Sequence, residues 1–338
     1  MDKKIWGILV HLGYNMWADK NAQTELKFDE GLWNRIVNKC AENGFNTIVL
    51  DVGEGAVYPS HPELAIKGSW TPEKIKGEVL RLREKGIELI PKLNFSAHHD
   101  AWLGEYGRMV STSIYYKVCK ELIEDAYEMF LHPSFIHIGM DEEDKSHMTA
   151  FNQDFYMTIM RHEELLVHDI NYLVKCVEDL GAKCHIWHDP MCEISEENAK
   201  NISKSVIPEV WMYYSYLKEN WQKISNEPEY VQKHYKTHFV KMHGYEIDYI
   251  EEDPFVTKTK ALLDKLIAEK RPYICTSSNF QVNYNDRDTI RYIMQEDPKF
   301  EGFLGMINAP WKRTIPESEV ALMEAIDLLA EAKSISGM

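Results

Sequence analysis

Several things are scarce in this 338-residue chain, and each scarcity excludes something. The six cysteines, Cys40, Cys119, Cys176, Cys184, Cys192 and Cys275, lie far apart and form no close-spaced metal motif. Apolar runs are strand-sized, well short of the roughly 20 residues of a membrane span, so no membrane partner is expected. Basic charge is in deficit: 38 Lys and Arg face 54 Asp and Glu, a formal net charge of -16. A basic face for phosphate could hardly prevail in that field, which argues against nucleic acid or an anionic membrane and favours neutral or cationic ligands. With Met1 as the start, no secretory segment precedes the first apolar run, and a reduced, cytoplasmic setting is the expectation. There is no repeat, low-complexity tract or clear linker, and no signal of oligomeric state.

What is present is enough for a large core. With 44 % hydrophobic content, one sizeable domain over residues 1–338 is the favoured count. Strand-like apolar runs fall at Ile5–His11, Asn46–Asp51, Ile87–Phe95, Ser134–Asp141, Lys183–Asp189, Glu209–Ser215, Tyr273–Phe280 and Phe303–Ala309. Helical patterns fall at Leu32–Asn43, Pro72–Lys85, Ile114–Phe130, Glu163–Leu180, Pro228–His238, Lys258–Lys270, Asp286–Gln295 and Glu317–Ala332. Strand and helix alternate, so the expected fold is α/β, a single (β/α)8 TIM barrel with a parallel sheet. Thr71-Pro72-Glu73 reads as a helix start, with a capping hydroxyl, a proline at the first helical position and an acid on the positive dipole end. Gly86 reads as that helix's stop. Ile114, Val118, Leu122 and Ala126 recur at fours, laying one apolar stripe against the sheet. Residues 216–271 are too long for one crossover and leave two readings open, an extra strand at Phe239–His243 or an inserted segment.

In a parallel barrel the loops after the strands converge on one face. Those strand ends carry His11, Tyr14 and Asn15; Asp51 and Glu54; Asn94, His98, His99 and Asp100; Asp141, Glu142 and Glu143. The later strands add Trp187, His188 and Asp189; Trp211, Tyr213 and Tyr214; Asn279; and Asn308 with Trp311. Alone, the acidic triplet 141–143 reads as a solvated turn. On a barrel rim, neighbouring carboxylates can divide acid/base work, because each environment sets which one keeps its proton. Aromatic faces beside carboxylates and amides suit a carbohydrate substrate, since an indole packs on the C–H face of a pyranose.

The spelling narrows this further. Phe135-Ile136-His137-Ile138-Gly139-Met140-Asp141-Glu142 resembles the fourth-strand signature of family 20 glycoside hydrolases, the β-N-acetylhexosaminidases, in which an Asp-Glu pair follows a His-Ile-Gly stretch. Ile90-Pro91-Lys92-Leu93-Asn94-Phe95-Ser96-Ala97-His98 resembles that family's third-strand segment, and Trp187 and Gly305 through Trp311 fall where it places pocket tryptophans. The likeness runs from Ile5 to about Trp311. It implies a retaining hydrolase in which Glu142 is the general acid/base and Asp141 orients the substrate's 2-acetamido group, whose oxygen replaces an enzyme nucleophile. The candidate substrate-binding set is His11, His98, Trp187, Asp189, Trp211, Tyr213, Asn279 and Trp311, with no metal and no cofactor expected. The chain also departs from the family pattern. Ile5 to Asn15 lacks the usual arginine, Lys312 and Arg313 stand where an acid commonly follows the strand-eight tryptophan, Asn94 replaces an aspartate, and Met140 replaces a second glycine.

Three other readings stay open on the residues alone. His98, His99, Asp100, His188 and Asp189 could hold a divalent metal, as in metal-dependent barrel hydrolases or isomerases acting on sugars. Asp189 could be a protein nucleophile, since the seventh strand offers no carboxylate. The missing arginine also fits a sugar-binding barrel without catalysis. His137 and His185, inside apolar runs, read as barrel-interior histidines with satisfied hydrogen bonds.

Overall fold

Eight short strands close on themselves in chain order: β1 (Ile5–His11), β2 (Thr47–Asp51), β3 (Glu88–Lys92), β4 (Phe135–His137), β5 (Lys183–Trp187), β6 (Ile207–Trp211), β7 (Tyr273–Ser277) and β8 (Phe303–Asn308). Every neighbouring pair is parallel, and β8 returns to β1 with Ile5 opposite Gly305, so the expected (β/α)8 barrel is the observed fold. The computed structural model describes residues 4–15, 22–143, 160–217, 254–280 and 285–338. Most of the inserted segment expected at 216–271, including the helix Pro228–His238 and the strand Phe239–His243, lies outside the described residues.

Outer helices pack their apolar faces on the strands. Thr71 caps the helix Pro72–Glu84 by accepting from the Lys74 N–H, with Pro72 in the first turn, and Gly86 leaves it at φ 73°. The helix Ser113–Met129 buries Tyr115, Val118, Cys119, Leu122, Ile123, Ala126 and Met129, whereas Ile114 is 52 % exposed. The stripe therefore begins one residue later than the fours-spacing suggested. Tyr115 takes the inner position because its hydroxyl reaches the Phe95 carbonyl, 3.1 Å away, below the rim.

Strand ends are where sequence and structure part most. β4 spans three residues where eight were expected, because Gly139 (φ 77°), Met140 (φ 75°) and Glu142 (φ 55°) bend the chain out of extended conformation. Its continuation stays pinned between neighbours: Phe95 N–H donates to the Ile138 carbonyl (3.1 Å) and Trp187 N–H to the Gly139 carbonyl (3.0 Å).

Inside the barrel, side chains stack in layers. A lower apolar layer holds Leu9, Val49, Ile90, Phe135, Ile207, Ile274 and Ile307. Two residues further along come His11, Asp51, Lys92 and His137, joined by His185 and Glu209 to form a dry polar belt. Lys92 Nζ sits 2.6 Å from Asp51 Oδ2, with His11 Nδ1 at 3.4 Å, and His185 Nδ1 is 2.9 Å from Glu209 Oε1. Burial alone would favour neutral Asp51, but the Lys92 ammonium and His11 hold it down at about 2. His185 is the satisfied interior histidine expected. His137 is only half so: its Nδ1 accepts from Gly139 N–H at 2.9 Å, while Nε2 stands 3.7 Å from Glu209. Burial pushes His137 down to about 4, leaving it neutral.

Candidate active site

The acidic triplet does not act as a unit, because the turn after β4 sends its three carboxylates to different places. Asp141 accepts from the Asn94 amide at 2.9 Å and lies 3.3 Å from His99 Nδ1. Glu142 faces the other side of the same imidazole, with Oε2 3.4 Å from His99 Nε2, and is the more open of the two. Glu143 turns inward. It takes the Arg161 guanidinium at Oε1, the Arg161 N–H at 3.0 Å and the Ala97 N–H at 2.7 Å, with both charged side chains fully buried. Arg161 also reaches the Phe95 carbonyl (2.6 Å) and Asp169 (3.4 Å), so this ion pair ties the ends of β3 and β4 to the helix Glu163–Glu178.

His99 organises the pair. Burial works against its charge, yet Asp141 and Glu142 on either side raise its pKa above that of an ordinary histidine. In return, against the cost of burial, the His99 charge with Lys92 below and the Asn94 amide hold Asp141 far below the usual carboxylate range. Asp141 is thus a fixed anion. Gly139 makes the geometry available: a Cβ there would fall 2.0 Å from Asn94 Oδ1, and its φ of 77° suits glycine.

Asp189 is the opposite case. It is buried beside these charges, and its clearest partner is the Trp211 indole N–H, which donates to Oδ2 at 2.8 Å. Burial first, and then the Asp141 charge, push it up to about 8, so at neutral pH it carries a proton. That counts against Asp189 as a nucleophile.

Aromatic rings from β5 and β6 and from the loops after β1, β6 and β8 make a wall. Trp187 and Trp311 stand 5.9 Å apart between ring centres, His11 lies 5.7 Å from Trp311, and the Tyr14 ring meets His11 edge-on at 5.0 Å. Trp311 donates its indole N–H to the Tyr213 hydroxyl at 2.6 Å, and Tyr213 packs 5.0 Å from Trp211. Trp187 is 1 % exposed, and its indole N–H makes no hydrogen bond.

Most sequence-selected residues converge, with two differences. His98 donates from Nδ1 to the Glu142 carbonyl, so it fixes the backbone of the turn, and it is His99 that faces the carboxylates. Asn279 gives its amide to Ala321 (2.9 Å) and Glu324 (3.1 Å) on the helix Glu319–Ser336, which spends its donors on the outer layer. The histidines proposed for metal are engaged elsewhere: His99 between carboxylates, and His188 through Nε2 to Thr259 (2.9 Å), with its Nδ1 receiving Trp211 N–H at 3.4 Å. Among the described residues no three of His, Cys, Asp and Glu are grouped to hold a metal ion. Nor does any helix among the described residues have the length and apolarity to cross a membrane.

No family model matches the chain. A curated relative, the lacto-N-biosidase of Bifidobacterium bifidum, is 24 % identical over 202 residues, covering 53 % of this chain and 18 % of its own length. Among solved structures, a β-N-acetylhexosaminidase from Bacteroides fragilis NCTC 9343 superposes with a TM-score of 0.58 at 14 % identity, covering 96 % of this chain and 65 % of that one. A family 20 exo-β-N-acetylglucosaminidase from Vibrio harveyi, in complex with N-acetylglucosamine, gives 0.57 at 12 % identity, with 99 % and 59 % covered. Dispersin B gives 0.55 at 13 %, with 98 % of both chains covered. This chain therefore spans less than a fifth of its curated relative and about three-fifths of the larger solved structures. The resemblance to family 20 glycoside hydrolases holds at the level of the fold.

Proposed function

We propose that the chain is a retaining glycoside hydrolase acting on 2-acetamido sugars, with Glu142 as general acid/base and Asp141 as the anion that steers the acetamide. The observation that carries this is the His99 clamp, an imidazole set between two adjacent carboxylates, 3.3 Å from Asp141 and 3.4 Å from Glu142, on the rim that also carries Trp187 and Trp311. Glu142 gives its proton to the glycosidic oxygen as the C1–O bond breaks, and the acetamide oxygen bonds to C1 in its place. The resulting oxazolinium carries a positive charge on its N–H, which the Asp141 carboxylate accepts and balances. Water activated by Glu142 then attacks C1, the ring opens back to the acetamide, and the anomeric configuration is retained. Adjacent residues suit this division because they reach two atoms of one sugar, the leaving oxygen and the acetamide nitrogen.

The aromatic wall supports the sugar's apolar face, and protonated Asp189 supplies a hydroxyl donor at its edge. The experiment is a set of aryl β-glycosides with and without the 2-acetamido group, together with a thiazoline analogue of the oxazolinium. Cleavage of the 2-acetamido substrates alone, with thiazoline inhibition that Asp141→Asn weakens, is the expected result. Cleavage confined to sugars with a free 2-hydroxyl, with the thiazoline ignored, would refute acetamide participation.

A further inference from the structure

A carboxylate that the mechanism does not use sits behind the strands that lead into the aromatic wall. Asp286, in the first turn of the helix Asn285–Glu296, is completely buried. Ser277 and Asn308 face each other across the ends of β7 and β8, and both point outward, because Thr276 and Ile307 beside them point into the barrel. The Asp286 carboxylate takes both: the Ser277 hydroxyl donates to Oδ1, and the Asn308 amide donates to Oδ1 at 3.0 Å and to Oδ2 at 3.2 Å. The adjoining Ala309 N–H donates to the Ser277 carbonyl at 2.8 Å, so the two strand ends are tied together where they leave the barrel.

What leaves there is the segment that carries Trp311. Trp311 stands at φ 51°, a left-handed conformation that a residue other than glycine keeps only where its surroundings hold it. Its ring is held by Tyr213 at 2.6 Å, its carbonyl by the Tyr14 hydroxyl at 3.3 Å, and the far end of the segment by Thr314, whose hydroxyl donates to the His11 carbonyl at 2.8 Å. The near end is held by the Asp286 clamp. Among the described residues no cation pairs with that carboxylate; the charge that acts on it from the helix Glu319–Ser336 is Glu331, like in sign and 3.7 Å from Arg287. Burial first, and Glu331 to a smaller degree, push the Asp286 carboxyl up to about 6 against the hydrogen bonds from Ser277 and Asn308, so it is an anion at neutral pH and takes a proton in mildly acid solution. A carboxylate only accepts, which suits these two donors. A carboxylic acid must also donate, and the acceptor on offer is the Asn308 amide oxygen, buried and without a partner, which reaches it only if the amide turns over.

We infer that Asp286 is a positioning residue for Trp311: its carboxylate fixes where the segment leaves β8, and a proton taken up there unseats the ring that supports the sugar. The support of a sugar by Trp311 rests on the glycoside hydrolase reading, whereas the seating of Trp311 by Asp286 does not. Asp286 touches no substrate atom, so its effect falls on binding more than on the bond-breaking step.

The test reads Trp311 directly and then through a substrate. In the full chain labelled with 5-fluorotryptophan, the Trp311 resonance, assigned with Trp311→Phe, should move as pH falls, with a midpoint of about 6. In Asp286→Asn, whose amide donates to Asn308 at every pH, it should stay at the wild type's acid position. Ser277→Ala removes a donor that favours the charged form, so its midpoint should lie above that of wild type. With an aryl 2-acetamido-2-deoxy-β-D-glucoside, KM of Asp286→Asn should exceed that of wild type about fivefold near neutral pH, the scale of one lost hydrogen bond, and converge with it in mild acid, while the kcat ratio stays close to one. Dividing variant by wild type cancels the ionisations of Glu142, His99 and Asp189, which both proteins share. A Trp311 signal that ignores pH or titrates alike in wild type and Asp286→Asn, or a KM ratio constant with pH, overturns the inference and leaves the hydrolase reading standing. Absence of turnover beside a Trp311 signal that titrates as expected does the converse. If Asp286→Asn does not fold, Ser277→Ala decides: a midpoint displaced upward supports the inference, and an unmoved one overturns it.

Discussion

Replacing Gly139 with alanine should damage stability and catalysis through one displaced side chain. The new Cβ would sit 2.0 Å from Asn94 Oδ1, 2.4 Å from its Cγ and 2.9 Å from its Cα, so the Asn94 side chain has to leave. Its departure removes the 2.9 Å hydrogen bond to Asp141 and the 3.1 Å bond from Ser96 N–H. A buried bond to a charged group contributes about 1.5–3 kcal/mol and a neutral one about 1 kcal/mol. Holding alanine at φ 77° costs roughly 1 kcal/mol more. The sum, about 3–5 kcal/mol, is a large part of a typical folding stability, and it should appear in chemical denaturation as a lower midpoint at unchanged slope. Loss of the Asn94 bond also frees Asp141 to rotate, for which a fall in kcat of about a hundredfold is the expected scale. Adding Asn94→Ala removes the two nearest clashing atoms, so the double variant should be more stable than the two single losses predict. Its activity should remain low. An alanine variant with the wild-type midpoint and kcat would refute the placement of Asn94 between this glycine and Asp141.

Glu142→Gln should lower turnover at least about a hundredfold with only a small change in melting temperature, because Glu142 is the more open of the two carboxylates beside His99 and glutamine keeps its shape. Glu143→Gln should do the reverse, losing about 3–5 kcal/mol in denaturation from the broken buried pair with Arg161, with a much smaller effect on the folded enzyme's kcat. Asp189 should set an alkaline limb: activity falls as pH rises through about 8, where its ionisation adds charge beside Asp141, and Asp189→Asn should shift or remove that limb. Its folded pKa lies above the unfolded value of about 4, so the native state keeps a proton that the unfolded chain releases. Stability contributed by this group is therefore full below about pH 4 and declines up to about pH 8, a slope the asparagine variant should lack in denaturation at several pH values.

The barrel was legible because its signals are local: period-2 runs, helical stripes and caps such as Thr71-Pro72 repeat around the chain. The residues at strand ends were legible as a set, since a parallel barrel collects them on one face. Direction was not. Beyond Lys92 the chain leaves the strand, alternation no longer tells in from out, and the adjacent histidines could not be ranked, so His99 was placed with the metal candidates. The direction of Asn279, two residues past the end of β7, was illegible for the same reason: its amide nitrogen turns to Ala321 and Glu324. Arg161 carried no signal, because its partner Glu143 is eighteen positions away and an ion pair between loops leaves no spacing pattern. Met140 departs from the family's second glycine yet adopts φ 75°, a strain that its fully buried side chain offsets by packing.

The Glu143–Arg161 pair also works as a hasp across the chain. It fastens the two ends of residues 144–160 at the point where the acidic turn finishes, and Ala97 and Phe95 join the same knot. The conformational cost of joining fixed ends rises only about 0.6 kcal/mol for each doubling of length. The stretch between them can therefore lengthen, shorten or change composition without moving Asp141 or Glu142. The turn that carries Asp141 and Glu142 is in this way insulated from changes of chain length beyond Glu143.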